Sequence, residues 1–183
     1  MPPKPQFTKQ DIIEAAFTIA CKEGFNGITA RSISKQLGSS VAPIYVNFQT
    51  IEELHEAVLQ YTRQTAARLM EQQEGEHLYD RIGRASIAFA RRYPVLIQDL
   101  VFQPQPGQSM HEDLAMALED DPDMKGLSYE QRRQVLLKMQ IFQTGLIVMI
   151  ASNQLDDQAL ELLIETGEDL LRAEHERNTH KEE

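Results

Sequence analysis

Residues 29–48, TARSISKQLGSSVAPIYVNF, decide the fold of this chain. They contain two short amphipathic segments joined at LGSS. Ile33 and Leu37 recur at the i, i+4 spacing that places side chains on one face of a helix, and Ile44 and Phe48 repeat that spacing in the second segment. The second segment is too short and too mixed in polarity for a core helix. The pattern therefore predicts a helix-turn-helix, whose second helix lies in the major groove of DNA.

The residues between these apolar positions fit the ends of two helices. Thr29 is predicted to cap the first helix, because its hydroxyl can accept from backbone N–H groups of the first turn. Gly38 suits the left-handed conformation that ends a helix. Ser40 is a candidate cap for the second helix, with Pro43 in its first turn, where a missing N–H costs little. Taken alone, the segment fits an ordinary helical hairpin in an all-α core equally well.

Capping patterns on both sides of this segment place it between two further helices. Residues 8–11, TKQD, resemble a capping box with Asp at the fourth position, and the helix that they open ends at Gly24. Residues 50–53, TIEE, form a second capping box, which opens a long helix that continues to about Gly75. The predicted order is a helix, a Gly-Phe-Asn-Gly connection, two short helices and a long helix.

This arrangement, which runs from Phe7 to Val58, resembles the N-terminal domain of the TetR family of one-component transcriptional regulators. The positions that carry the resemblance are an Ile-x-x-x-Ala-Ala-like start, the Gly24-Phe25 pair, Thr29, Ile33, Gly38, Tyr45, Phe48 and the Glu53-Leu54 pair.

Three positions depart from the family's pattern. Ser34 stands where Ala is usual, and Ser39 replaces the apolar residue that usually follows the turn glycine. Ile51 stands where a Lys usually opens the fourth helix and contacts a phosphate. The change at Ile51 removes one expected backbone contact, and it therefore bears on DNA affinity more than on the fold.

Composition agrees with an all-α protein that consists of a small head and a larger body. Apolar residues make up 42% of the 183 positions, and sustained β-type alternation is missing from the sequence. The resemblance implies a helix-turn-helix head over residues 1–50, a connecting helix over 51–75 and a ligand-binding and dimerisation body over 76–183. No uninterrupted apolar run approaches the roughly 20 residues that span a bilayer. We therefore expect a cytoplasmic protein without membrane contact, in which the lone Cys21 fills space in the first helix.

A net charge of −10 is unusual for a nucleic-acid-binding protein, so the distribution of charge matters. Residues 1–47 hold five Lys or Arg and three Asp or Glu, a net charge of +2, and the remaining residues therefore carry −12. The acidic body is expected to repel phosphates and so to orient the head toward DNA. Because few cations are present in the head, we expect modest neutralisation of phosphates.

The resemblance implies that Tyr45 places its hydroxyl on a backbone phosphate and that Thr29 offers a second contact. Val41 and Ala42 fit contacts with thymine methyl groups, while Asn47 fits either an adenine or a phosphate. The recognition helix has no Arg or Gln, so strong guanine readout is not expected. The predicted DNA-binding residues are Thr29, Arg31, Lys35, Ser40, Val41, Ala42, Tyr45, Asn47 and Gln49.

The body shows several amphipathic segments, of which the last two bear on assembly. Residues 141–151, IFQTGLIVMIA, are apolar on nearly every face, and the last segment, from about Asp156, carries a wide stripe of Leu and Ile before a polar tail. In the resembling family the last two helices of two subunits form a four-helix interface. The predicted homodimer interface is Ile147, Ile150, Leu160, Leu163, Ile164 and Leu171. The alternative is that both helices belong to the core of one chain.

A regulator of this design requires a pocket for an unknown small-molecule effector. Apolar, flexible side chains in the body, with a few polar groups, are suited to such a pocket. The predicted ligand-binding residues are Phe89, Leu100, Phe102, Met110, Met139, Gln140, Phe142, Gln143 and Thr144. Met and aromatic stripes at helical spacing more often belong to plain core. The expected mechanism is a shift between two spacings of the heads.

Catalysis finds little support in the sequence. The five histidines show no HExxH pattern, and no GxSxG, Walker A or dinucleotide-binding glycine motif occurs. His175 and His180 are predicted to be solvated in the polar tail. We therefore expect a non-enzymatic protein without cofactor or metal. The prediction is a ligand-responsive regulator, most simply a repressor, that binds a pseudo-palindromic double-stranded DNA operator as a homodimer. The alternative is a dimeric helical adaptor or ligand-binding protein with weak or no specific DNA binding.

Overall fold

The computed structural model describes residues 7–75, 78–102, 115–116, 118–155 and 158–179. Helices connected by short turns make up this part of the chain, which contains no strand, so the predicted all-α class is confirmed. The bounded α-helices are α1 (Lys9–Glu23), α2 (Ala30–Leu37), α3 (Ala42–Asn47), α4 (Ile51–Glu71), α5 (Leu78–Arg92), α6 (Pro94–Phe102), α7 (Tyr129–Ala151) and α8 (Ala159–Thr179).

The N-terminal helices form one core that continues into the body. Helix α1 packs against α2, α4 and α6. Ile12 of α1, Ile33 of α2 and Ile44 of α3 are almost completely buried in this core, and Leu96 of α6 is buried with them. Burying each of these side chains stabilises the fold by roughly 1.5–3 kcal/mol before entropy is counted. The head is therefore held by the contacts of α1 with α4 and α6 as well as by its own core.

The predicted caps at α1 and α4 are found, although the box at α4 is incomplete. Thr8 and Asp11 form a reciprocal capping box at α1, and Ser128 and Gln131 form another at α7. At α4, the Thr50 hydroxyl accepts from the backbone N–H of Glu53 at 3.1 Å, as predicted.

The Glu53 side chain does not complete the predicted box at Thr50. Its carboxylate accepts from the backbone N–H of Gln49 at 2.8 Å and from Lys9 Nζ at 3.2 Å. The hydrogen bond from the Gln49 N–H lowers the pKa of Glu53 below its usual value, and the hydrogen bond from Lys9 lowers it further by a smaller amount. The long side chain therefore ties the start of α4 to the end of α3 and to α1.

Two helix ends differ from the sequence prediction. Helix α4 ends at Glu71 and not near Gly75, and α8 continues through the predicted polar tail to Thr179. The prediction that His175 is solvated was wrong, because His175 and the neighbouring Glu174 have partners in the body, whereas His180 lies outside the described residues. Glu174 is buried and pairs with Lys138 and Arg177, and His175 contacts the backbone oxygen of Asp123 through Nε2 at 2.9 Å.

Helix α7 is the centre of the body, where it packs against α5, α6 and α8. Among the described helices, it alone has the length and composition to cross a bilayer, with a mean hydropathy of 1.5 over an 18-residue window. One face of α7 is buried through Leu146, Ile147 and Ile150, which contact Ile87 and Ala90 of α5 in a shared cluster. These contacts account for its apolar character along one side.

Candidate nucleic-acid interface and body cavity

Helix α3 is a short surface helix, and only one of its sides packs against the rest of the chain. Ile44 and, directly after the helix, Phe48 are buried in the head core. Tyr45 is 55% exposed and Val46 is 76% exposed. The four-residue spacing of Ile44 and Phe48 therefore does what the sequence predicts, and it leaves the opposite side of α3 open to a partner.

The turn between α2 and α3 has the predicted glycine conformation. Gly38 ends α2 with φ 64° and ψ 34°, in the left-handed region that favours glycine. Ser39 N–H then donates to the carbonyl oxygen of Ser34 at 2.9 Å, which satisfies one of the last carbonyls of α2. Helix α2 therefore ends within these two residues.

The predicted cap at Ser40 is wrong. The residue before the first turn of α3 is Val41, which makes no side-chain cap bond, and Pro43 follows at the second helical position. The Ser40 carbonyl instead accepts from the Ser39 hydroxyl at 2.9 Å. Pro43 explains why the helix starts without a cap, because it removes an N–H that a cap would otherwise serve.

Thr29 caps α2 as predicted. Its hydroxyl accepts from the backbone N–H of Ser32 at 3.0 Å, while the Ser32 hydroxyl accepts from the backbone N–H of Thr29 and donates to the Gly27 carbonyl. The start of α2 is thereby fixed to the preceding turn. The exposed N-terminus of α2, with Arg31 in its first turn, presents the positive end of the helix dipole to solvent.

The predicted DNA-binding residues lie on one run of chain from α2 to the residue after α3. Eight of the nine are exposed, and Asn47 is half-buried. The Asn47 side-chain amide donates to the Pro43 carbonyl at 2.8 Å, which fixes its orientation along α3. Their contacts with DNA stay predictions.

Val46 is the residue that the sequence prediction left out of this surface. It is more exposed than any other large apolar side chain of the described residues. The signal was present in the sequence, because position 46 lies two residues from both Ile44 and Phe48 and therefore faces away from the side that they anchor.

A cationic side chain of α1 supports the end of α3. Lys9 Nζ lies 4.6 Å from the centre of the Phe48 ring and 3.2 Å from the Glu53 carboxylate. A cation over an aromatic face is attracted by the ring's electron density. Lys9 therefore joins α1, the end of α3 and the start of α4 at one point.

A cavity of about 390 Å³ lies in the body between α4, α5 and α6, with Ile147 of α7 at its wall. Most of its lining is apolar, and the hydroxyls of Thr62 and Ser86 are the small polar groups there. Each of these hydroxyls donates to a carbonyl of its own helix. The lining residues are Leu59, Thr62, Arg63, Ala66, Ala67, Met70, Ile82, Ala85, Ser86, Phe89, Ile97, Leu100 and Ile147.

The predicted ligand-binding residues divide between this cavity and other places. Phe89 and Leu100 line the cavity. The α7 residues Met139, Gln140, Phe142, Gln143 and Thr144 are partly buried elsewhere on α7 and do not line it. The Phe102 side chain and the whole of Met110 lie outside the described residues.

Helix α6 connects the cavity with the head. Ile97 and Leu100 line the cavity, whereas Leu96 is buried in the head core. On the same helix, the Asp99 carboxylate accepts from the backbone N–H of Phe25 at 2.6 Å, at the end of α1. Helix α6 therefore contacts both the cavity and the residues at the base of the helix-turn-helix, so a shift of α6 changes its contacts at both places.

The exposed side of α7 does not contain the residues that were predicted for the dimer interface. Ile147 and Ile150, and Leu163 and Leu171 of α8, are buried within the chain, so they serve its own core. Leu160 and Ile164 are half-buried and line an open groove with acidic side chains of α8. The open apolar side of α7 consists of Leu137, Ile141, Gly145 and Met149, and Ile141 is 66% exposed.

Comparison with known proteins finds a relative among transcriptional regulators. The chain is 27% identical over 118 residues to the HTH-type transcriptional repressor DrrR1 of Streptomyces coeruleorubidus. The match covers 63% of this chain and 44% of the repressor, so the chain spans less than half of the relative that it matches. No protein-family model matches the chain. The similarity supports a transcription regulator and agrees with the helix-turn-helix geometry.

Proposed function

We propose that this chain is a transcriptional regulator of the TetR type, which binds a pseudo-palindromic DNA operator as a homodimer and is released by a small molecule. The observation that carries the proposal is α3, a six-residue helix that is anchored through Ile44 and exposes its opposite side. A core helix does not have that exposure, and a helix in the major groove requires it. The similarity to a repressor over 118 residues supports the part of this proposal that concerns transcription regulation.

The chemistry of the exposed surface suits duplex DNA with few ionic contacts. Arg31 and Lys35 of α2 are exposed cations that suit phosphates, and the hydroxyl of the exposed Tyr45 is a further donor for a phosphate oxygen. Each phosphate that a cation neutralises steepens the salt dependence of binding. With so few cations, binding should weaken only moderately as salt is raised.

The proposed dimer uses the open side of α7 with α8. A second copy is the expected occupant, because Leu137, Ile141 and Met149 are apolar and Gly145 has open space where a side chain would stand. Small residues allow two helices to approach closely, and a twofold axis through this face places the same patch on both partners. Two copies of α3 about 34–36 Å apart would fit successive major grooves on one side of DNA.

The proposed effector site is the cavity between α4, α5, α6 and α7. Its volume of about 390 Å³ lies within the range of small-molecule sites, which is roughly 300–1,000 Å³. A ligand that binds one arrangement of α6 more tightly than another shifts the population toward that arrangement. Because α6 also contacts the head through Leu96 and Asp99, such a shift would change the position of α3.

Selection of genomic fragments by the purified full chain tests the proposal. Recovered fragments should share one sequence with twofold symmetry, and the chain should retard that sequence on a gel at low and at moderate salt. A chain that retains none of the fragments while it remains folded contradicts DNA binding. That result would favour the helical adaptor, for which the acidic body and Ile51 in place of a cation are the supporting features.

A further inference from the structure

The outer ridge of α3 is apolar. Val46 and Ala42 are four residues apart and therefore lie on the same side of the helix, opposite the buried Ile44 and Phe48. Val46 is 76% exposed, and Ala42 is exposed as well. If α3 enters a major groove with its anchored side toward the protein, these two side chains are the ones that point at the base edges.

The polar groups of α3 are poorly placed to read the same bases. The sequence of α3, APIYVN, contains no Arg, Lys or Gln. Asn47, its one amide, is half-buried and donates to the Pro43 carbonyl at 2.8 Å. Tyr45 is next to Ile44 and lies beside the ridge and not on it. Bidentate hydrogen bonds to guanine or adenine therefore have no suitable donor on this ridge.

We propose that Val46 and Ala42 read thymines, through the C5-methyl groups that thymine presents in the major groove. This inference rests on the proposed DNA binding and adds the chemistry of the operator to it. Thymine's methyl is the apolar group that the four bases show in that groove, so an apolar ridge distinguishes thymine by contact and not by hydrogen bonds. The half-site bases opposite α3 are therefore A·T pairs, with the thymine methyl directed at Val46.

Removal of the methyl group alone tests this reading. Uracil pairs as thymine does but lacks the methyl, so each thymine of the selected half-site is replaced by uracil, one at a time. At the thymine that Val46 contacts, the dissociation constant should rise about fourfold, the loss expected for one buried methyl-sized group. A cytosine at that position should bind weakly, and 5-methylcytosine should bind more tightly than cytosine, since it restores a methyl at the same place.

A matched variant assigns the effect to Val46. The substitution Val46→Ala shortens an exposed side chain and leaves Ile44 and Phe48 in the core, so the fold should be retained. In this variant the uracil substitution should lose its effect, because the contact has already been removed. Val95→Ala, which shortens an exposed side chain on α6, should leave the fourfold effect unchanged.

The outcomes separate this inference from the proposed function. If the operator is bound and no single uracil raises the dissociation constant in either half-site, recognition through the thymine methyl is wrong. The proposed function as a DNA-binding regulator is then unaffected. A selected operator with guanine opposite Val46 overturns it as well. If no fragment is bound at all, the proposed function itself fails. A uracil effect that Val46→Ala abolishes supports both.

Discussion

Tyr45 presents an exposed phenol next to Ile44, the buried anchor of α3. If its hydroxyl donates to a backbone phosphate, Tyr45→Phe removes one hydrogen bond to a charged group and keeps the ring. Such bonds contribute roughly 1.5–3 kcal/mol, so the dissociation constant should rise at least about tenfold, equally for operator and unrelated duplexes. Fluorescence anisotropy measures it. Tyr129→Phe, at an exposed tyrosine of α7, is the control and should change nothing. Equal affinities of the two variants would remove Tyr45 from the interface.

Glu53 makes the stability of the head depend on pH. The Gln49 N–H and then Lys9 lower its pKa, so its contribution to folding is present above its ordinary pKa of 4.5 and is lost as pH falls through the lower folded value. Glu53→Gln should lower the thermal midpoint at pH 7, and the difference from the parent chain should shrink near pH 3. Glu52→Gln, at the neighbouring exposed position, should show no such change. A constant difference between parent and Glu53→Gln across this pH range would contradict the assignment.

The turn after α1 is joined to α6 by a short hydrogen bond, from Phe25 N–H to Asp99. Gly24, with φ 75°, lies against the same carboxylate, where an added Cβ would collide with it. Asp99→Ala leaves the buried Phe25 N–H without this acceptor, which should cost about 1–3 kcal/mol. Hydrogen exchange at Phe25 should accelerate, and the thermal midpoint should fall. Asp99→Asn keeps an acceptor oxygen and should restore most of the protection. Unchanged exchange in Asp99→Ala would show that the bond does not hold the two helices.

Some features of these elements could be predicted from the sequence, and others could not. Local rules predicted α1, the turn at Gly38 and the cap at Thr29, because hydrogen bonds within a few residues determine these features. The cap at Ser40 failed because Pro43 changes which N–H groups need a partner.

Long-range packing escaped prediction. Residues 141–151 of α7 are apolar on nearly every side, so periodicity could not tell the buried side at Ile147 from the open side at Ile141. The cavity is formed by residues of four helices, and sequence predicted only Phe89 and Leu100 of its lining, together with Ile147 assigned to the interface. The spacing of residues along a single helix does not show which residues of four helices line a common cavity.

At the scale of the whole molecule, the open side of α7 is the proposed interface between two copies of the chain. Ile141→Glu places a charge on the proposed twofold interface without touching the core, since Ile141 is 66% exposed. The variant should be folded and monomeric in sedimentation, and it should lose operator binding because one α3 alone makes half of the contacts. Met116→Glu, at another exposed apolar residue, should remain dimeric. A dimeric Ile141→Glu would move the interface away from this face of α7.

The head has a net charge of +2, while the rest of the chain carries −12, so in the proposed function the head is the part that approaches DNA. Hydroxyl-radical footprinting of the selected operator tests the central claim most directly. Two protected half-sites should appear on one side of the duplex, about 34–36 Å apart, with two chains bound per duplex. A single protected site with one chain bound, or no protection at low salt, would contradict the account.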